Sequence, residues 1–233
     1  MTLPRRAVLI RLLLRLLLVI NLVADALILP ARAGGQREQD VGKVARLVDR
    51  HYNQLETLQA DFEESYRGAG ISRSETGVLW LKRPGKMRWE YRTPREKLFI
   101  TSAKTALFYV LGEQQARKAP LEKLDDLRSP LRYLLGKTKL EKEFDNLHFG
   151  PPTAAGELTL EGVPKGMQER VRRVRIGIGP GYDIRSIVME EVDGSVTEFR
   201  FSNAIENAAV SDDKFRFHAP PGVEVISASD ITP

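Results

Sequence analysis

The segment from Leu79 to Tyr91 constrains the fold of this chain more than any other. Pro84 marks a corner in it, and after the corner large apolar residues alternate with charged ones. A period of two is the pattern of a β-strand with one apolar face and one charged face. The apolar face carries Met87, Trp89 and Tyr91. A sheet with such a face needs a cover, which is a helix, a second sheet or a ligand.

Short stretches of the same kind follow one another along the chain. They lie at 58–62, 74–82, 87–91, 98–101, 106–111, 114–118, 144–149, 157–161, 170–178, 184–192 and 196–205. Asp193-Gly194 between the last two is a strong hairpin signal. This spacing predicts one antiparallel sheet or barrel. The tail 213–226 alternates again and turns at Pro220-Pro221-Gly222, which predicts a last strand pair closing the sheet.

An amphipathic helix is predicted ahead of the first strand, with Asp40 as its N-cap. Its apolar stripe is Val41, Val44, Val48, Tyr52 and Leu55. Gly42 weakens this prediction, since glycine costs about 1 kcal/mol against alanine inside a helix. A second helical interval lies at 120–136, where 131–135 is barely more than one turn. So short a helix persists only by packing, as a movable lid does.

The first 33 residues read as a secretory signal peptide. Arg5 and Arg6 precede a leucine-rich run, and an A-x-A pattern predicts cleavage after Ala33. An uncleaved membrane anchor is the alternative, but 16–29 is short for a full span and contains Asp25. Residues 34–233 are then a single exported domain.

The basic character of the chain belongs mostly to this leader. The whole chain has a net charge of +5, of which the five arginines and one aspartate of residues 1–33 account for +4. The remainder is close to neutral, so a nucleic-acid partner is not expected. Cysteine is absent, which excludes disulfides and a lipid-anchoring cysteine.

The chain lacks a convincing catalytic set. His51, His148 and His218 are far apart in sequence and form no metal-binding pair. The glycine-rich stretch 177–181 lacks the lysine of a phosphate loop and precedes a strand pattern. We therefore expect no enzyme activity, no metal and no cofactor.

Taken together, these blocks of sequence resemble the LolA family of periplasmic lipoprotein carriers. The resemblance runs in order from about Val41 to Ile226. It is carried by the blocks 58–62, 77–84 with 87–91, 129–131 with 134–135, and 214–217 with 220–223. It implies an unclosed, curved antiparallel β-barrel of about ten or eleven strands, covered by an N-terminal helix and short lid helices. Ala103-Lys104 and Leu107 depart from the family pattern.

The resemblance also implies a hollow that receives acyl chains and an arginine that holds the lid, here Arg83. The candidates for lining the hollow are Phe62, Leu79, Leu81, Met87, Trp89, Tyr91, Ile100, Phe108, Leu131, Leu134 and Leu135. An apolar strand face is more often ordinary core than a lipid pocket, so from the pattern alone both readings stay open.

The function implied is a monomeric chaperone that carries acylated lipoproteins between the two membranes. Its partners would be an inner-membrane lipoprotein-releasing ABC transporter and an outer-membrane LolB-like receptor. Two alternatives remain, a LolA-like regulator of periplasmic stress signalling and a carrier of another lipid. Regulators of that kind usually have a second domain.

Overall fold

The computed structural model describes residues 40–102, 104–120 and 139–228, and within these ranges the chain is mainly β. Two α-helices are present in them, α1 (Val41–Gln54) and α2 (Leu140–Glu143), together with a 3₁₀ helix at Asp212–Phe215. In the ranges described, no helix has both the length and the apolarity that crossing a membrane would require.

Twelve strands of the described ranges form one continuous sheet. They are β1 (Thr57–Gly68), β2 (Ile71–Lys82), β3 (Lys86–Thr93), β4 (Lys97–Thr101), β5 (Thr105–Val110), β6 (Gln115–Pro120), β7 (Phe144–Phe149), β8 (Leu158–Pro164), β9 (Val171–Ile178), β10 (Ile184–Glu191), β11 (Val196–Glu206) and β12 (Glu224–Ser227). Their order is β12-β6-β5-β4-β3-β2-β1-β11-β10-β9-β8-β7, so that β12 and β7 are the outermost strands of those described. The prediction of an unclosed, curved barrel is therefore confirmed, with twelve strands instead of ten or eleven.

The sheet has two chemically different faces. The inner face carries Leu79 and Trp89, and its side chains join those of α1 in one large buried cluster. The outer face carries Val78 and Trp80, against which Phe215 of the 3₁₀ helix packs. Because successive residues of a strand point to opposite faces, the alternation in β3 divides apolar inner positions from charged outer ones.

Helix α1 forms as its sequence predicts. The Asp40 carboxylate accepts a hydrogen bond from the Gly42 N–H at 2.9 Å, which is an N-cap contact. A side chain at Gly42 would collide with the Glu141 carboxylate of α2. The glycine that weakens the helix prediction thus leaves room for the Glu141 carboxylate, which pairs with Arg46 of α1 at 3.1 Å.

The predicted strand pair in the tail is only half present. Residues Asp212–Phe215 form the 3₁₀ helix, and Glu224–Ser227 form β12, which pairs with β6 in parallel. The alternation that suggests a strand has another cause, because Phe215 packs on Trp80 and the Phe217 ring lies 5.3 Å from that of Tyr109. Both aromatic residues therefore pack against the outer face of the sheet without forming a strand of it.

Candidate functional site

The inner face of β1 to β5 is apolar over most of its length. Trp89 lies at its centre, with the Phe62 ring 4.6 Å away and the Phe199 ring 5.8 Å away, both edge-on. Leu79 and Trp89 are 0% and 1% exposed. Edge-on aromatic pairs of this kind add about 0.5–1.5 kcal/mol beyond burial.

Seven of the predicted cavity residues come together in this one buried cluster. They are Phe62, Leu79, Leu81, Met87, Trp89, Tyr91 and Phe108. Leu131, Leu134 and Leu135 lie outside the described residues, so their place in a lid stays a prediction. That these seven residues line a lipid site likewise stays a prediction.

The placement of Ile100 among them is wrong. Its cross-strand partners are Arg88 in β3 and Leu107 in β5, which lie on the outer face. Phe99 takes the inward position instead, opposite Trp89. The run from Leu98 to Ile100 is apolar at every position, so alternation cannot separate its two faces.

Phe199 and Phe201 of β11 are inward residues that sequence reasoning missed. Their rings stack 6.4 Å apart and both face Trp89. The alternation Phe-Arg-Phe is the available signal. It does not by itself place them in the site, because their partners in β1, Glu64 and Phe62, are 135 and 139 residues away in the chain.

Arg83 lies in the turn between β2 and β3, at the end of the inner face where α1 finishes. Its guanidinium donates to the backbone carbonyl of Tyr52 in the last turn of α1. Its own N–H donates to the Glu56 carbonyl at 2.9 Å. A cation is stabilised at a helix C-terminus by the partial negative charge there. Arg83 therefore binds a carbonyl of α1. Its expected contact with the lid segment lies outside the described residues and stays a prediction.

The carboxylate of Asp212 connects the two sides of this turn on the outer face. The Asp212 carboxylate pairs with Lys82 at 2.7 Å and with Lys86 at 2.9 Å, one on each side of the turn. Its hydrogen bonds to Lys82 and Lys86 lower the pKa of Asp212 to about 2. Nearby, the Lys214 ammonium lies 3.7 Å from the centre of the Trp80 ring.

The opposite end of the inner face is charged. Glu64, Glu75, Tyr91 and Lys97 form what we call the polar cluster, in which the Tyr91 hydroxyl donates to Glu64 at 3.0 Å and Lys97 pairs with Glu75 at 2.8 Å. Burial raises the pKa of the Glu64 carboxyl above its usual range. Burial also raises the pKa of the Tyr91 hydroxyl.

A surface concavity of about 900 Å³ lies on the outer face, with charged walls that include Arg175 and Glu198. Such walls suit water and ions better than acyl chains, because burying unpaired charge is costly. The inner face, by contrast, is filled by its own touching side chains. An acyl chain can enter there only where the cover or the side chains move.

The three histidines contact separate partners. His51 pairs with Glu206 at 2.8 Å, His218 pairs with Asp213 at 3.2 Å, and His148 bonds the Asn146 carbonyl. Within the described ranges no group of three or more His, Asp or Glu is arranged to hold a metal ion.

Known proteins resemble this chain over most of its length. The family model described as outer membrane lipoprotein carrier protein LolA matches residues 53–218. The outer-membrane lipoprotein carrier proteins of Nitrosospira multiformis and Chromobacterium violaceum are 30% and 31% identical to it. Each alignment covers 73% of this chain, with 82% and 81% of the relative.

Among solved structures, an uncharacterized conserved protein from Thermus thermophilus has the same fold. Its TM-score is 0.53 at 11% identity, with 82% of this chain and all of that chain covered. The relatives are named as carriers and not as enzymes. With the family model spanning most of the chain and relatives at 30% identity, this protein belongs to the outer-membrane lipoprotein carrier family, LolA.

Proposed function

We propose that this protein carries acylated lipoproteins through the periplasm from the inner to the outer membrane and shelters their acyl chains against the inner face of the sheet. One structural observation is the main support for this proposal. Between the polar cluster and Arg83 the inner face of β1 to β5 is apolar, and Arg83 is bonded to α1, a helix that covers this face.

The size of the hydrophobic effect explains why a cover is needed. Each buried methylene of an acyl chain contributes about 0.8 kcal/mol, so long chains exposed to water would cost tens of kcal/mol. The carrier must also release its cargo without a fuel of its own. A hollow whose cover is held by few contacts meets both demands, because the contacts of the closed state compete with the cargo.

Arg83 supplies a closed-state contact that the cargo must displace. Its bond to the Tyr52 carbonyl is present in the closed protein and must break when α1 moves aside. A hydrogen bond to a charged group contributes about 1.5–3 kcal/mol. Arg83 would also hold the lid segment that contains Leu131, Leu134 and Leu135.

Transport between two membranes defines the partners and the location. Lipoprotein would arrive from an inner-membrane releasing ABC transporter and leave to a LolB-like receptor in the outer membrane. We take residues 1–33 as the signal peptide and 34–233 as one monomeric carrier domain. Expression of the full chain in a Gram-negative host, followed by mass measurement of the periplasmic product, should give a chain that begins at Gly34.

The function is tested by release of cargo. Residues 34–233 are added to inner-membrane vesicles that contain the transporter and a labelled triacylated lipoprotein, and the label in the supernatant is measured. We expect ATP-dependent release into a one-to-one complex. Release of free diacyl lipid without any lipoprotein would favour a carrier of another lipid, and no release would refute the proposal.

Substitution of Arg83→Leu tests the closing contact. Without that bond the closed state loses its advantage, so we expect normal uptake and slower transfer to outer-membrane acceptor vesicles. The effect should be roughly tenfold, since about 1.4 kcal/mol corresponds to a factor of ten. Arg92→Leu, which removes an exposed arginine of β3, should transfer cargo at the rate of the unmodified protein.

A further inference from the structure

The polar cluster lies on the inner face although its neighbours there are apolar. Glu64 lies two residues after Phe62 in β1 and therefore on the same face. Its cross-strand partners are Glu75 in β2 and Phe199 in β11. Glu64 and Glu75 are 9% and 8% exposed. The Lys97 ammonium also lies 4.2 Å from the centre of the Tyr91 ring.

Stability alone does not account for this arrangement. Two carboxylates directly opposite on neighbouring strands repel each other. Replacing a buried ion pair by apolar residues of similar volume is often neutral or stabilising. A cluster of this kind therefore points to a role other than holding the fold together.

Its position along the sheet indicates what that role is. Arg83 and Glu75 are eight residues apart on one strand path, which is about 27 Å of extended chain. The inward positions between them are Leu81, Leu79 and Gly77, which span about 13 Å from the first to the last. The acyl chains of one bilayer leaflet reach about 15 Å, half of a hydrocarbon core of about 30 Å. The apolar surface is thus close to the length of one leaflet, with a charged group at each end.

We propose that the polar cluster Glu64–Glu75–Tyr91–Lys97 is the end stop of the acyl site and sets the longest chain that the carrier accommodates. The inference rests on the proposed function and specifies the cargo that it selects. A chain that enters at the Arg83 end gains burial with each methylene until its methyl group reaches the cluster. Beyond that point, further burial requires separating paired charges from their partners, which cancels the gain.

The experiment measures binding against chain length. Straight-chain fatty acids in two-carbon steps displace a fluorescent fatty-acid probe from residues 34–233. We expect the affinity of the unmodified protein to rise about fourfold per methylene, the equivalent of about 0.8 kcal/mol, and then to level off. An affinity that keeps rising up to the longest chain would overturn the end stop without any variant.

The double variant Glu75→Leu/Lys97→Met removes the ion pair and leaves no unpaired charge from it. We expect its affinity to level off at a chain at least two carbons longer. Glu161→Leu/Arg175→Met removes a comparable pair, with an Nε to Oε2 distance of 2.9 Å, from the outer face and should leave the profile unchanged. Equal plateaus for all three proteins would overturn the inference alone. Absence of probe binding to any of them would overturn the proposed function with it.

Discussion

Gly77 is the residue on which the aromatic packing of the inner face depends. The ring of Phe62 lies over its backbone, and a side chain there would collide with that ring and with the Glu90 carbonyl oxygen. Gly77→Ala must therefore displace Phe62 or part the strands β2 and β3. Overpacking of this kind costs about 1–3 kcal/mol. We expect a loss of that size in the free energy of unfolding, measured with urea.

The control for this substitution is Gly181→Ala. A side chain at Gly181 would approach only the tip of the Asp183 carboxylate, at 3.2 Å, and that tip can move. Its effect should stay within about 0.5 kcal/mol, as for ordinary surface changes. Equal effects of the two substitutions would contradict the packing role of Gly77.

Glu64 should make stability depend on pH. Burial raises its pKa from 4.5, so the folded state binds the proton more tightly than the unfolded state. Stability therefore falls as the pH rises from about 4.5 through the raised value. Glu64→Gln removes this loss, so its stability relative to the unmodified protein should increase toward neutral pH. The increase is about 1.4 kcal/mol per unit of pKa shift, measured by urea unfolding across the pH range.

Glu63→Gln makes the same chemical change one residue away, where the side chain is exposed on the outer face, and controls for the loss of a charge. A stability difference for Glu64→Gln that stays constant from pH 4 to 7 would show that burial of Glu64 carries no penalty. The Tyr91 hydroxyl, which donates to Glu64 at 3.0 Å, can donate equally to the amide oxygen that the substitution introduces.

At this scale, sequence reasoning works where alternation is strict. Met87, Trp89 and Tyr91 fall on one face as predicted because charged residues separate them. The reasoning fails at Ile100 because three apolar residues follow one another there. Glu64 and Lys97 lie in one cluster because of the register of four neighbouring strands, and no local sequence pattern predicts that register.

Helix α1 is attached to the sheet by a buried polar contact as well as by its apolar stripe. The Tyr52 hydroxyl accepts a hydrogen bond from the Ile184 N–H of β10 at 2.8 Å, and Tyr52 is 4% exposed. Tyr52→Phe leaves that backbone donor buried without its partner. An unsatisfied buried group costs about 1–3 kcal/mol. We expect this loss in the free energy of unfolding, with faster hydrogen exchange in α1.

Tyr109→Phe is the matched change in β5. Its hydroxyl bonds no group among the residues described, although the ring is largely buried against Phe217. It should be nearly neutral. Protection of α1 that is unaltered in Tyr52→Phe would mean that the apolar stripe alone holds the helix.

The elements differ in how far the sequence specifies them. The N-cap and apolar stripe of α1 are local, and the helix Val41–Gln54 matches the predicted stripe from Val41 to Leu55 within one residue. The turn at Asp193-Gly194 is local too, with Gly194 at a φ of +87°. The strand prediction for the tail fails because Phe215 and Phe217 pack on the outer face of a sheet that other strands form. This tertiary contact produces the same alternation as a strand and is visible only in the folded chain.

For the whole molecule, the strand order is the part that lies beyond local reasoning. Consecutive strands joined by short turns predict a meander, and β1 to β6 and β7 to β11 follow it. The pairing of β1 with β11 joins these two halves, and that of β12 with β6 adds a parallel edge. Both pairings bring distant segments together, and tertiary packing selects them.

The parallel strand β12 protects one edge of the open sheet. Its backbone pairs with β6 from Glu224 to Ser227, and the Glu224 N–H donates to the Gln114 carbonyl at 2.9 Å. Deleting residues 224–233 exposes the unpaired groups of β6, and an open edge recruits another strand. We expect the truncated protein to self-associate with rising concentration in light scattering. It should also lose at least about 1 kcal/mol of stability, since each net hydrogen bond contributes about 0.5–1.5 kcal/mol.

Val225→Glu separates the edge effect from a change in the polarity of the surface. Val225 is 45% exposed, so the substitution keeps the backbone pairing of β12 and alters only a partly exposed side chain. This variant should stay monomeric, because the β6 edge remains covered. If the truncated chain were also monomeric at the same concentrations, the charged side chains of β6, Arg117 and Lys118, would be sufficient to protect that edge without β12.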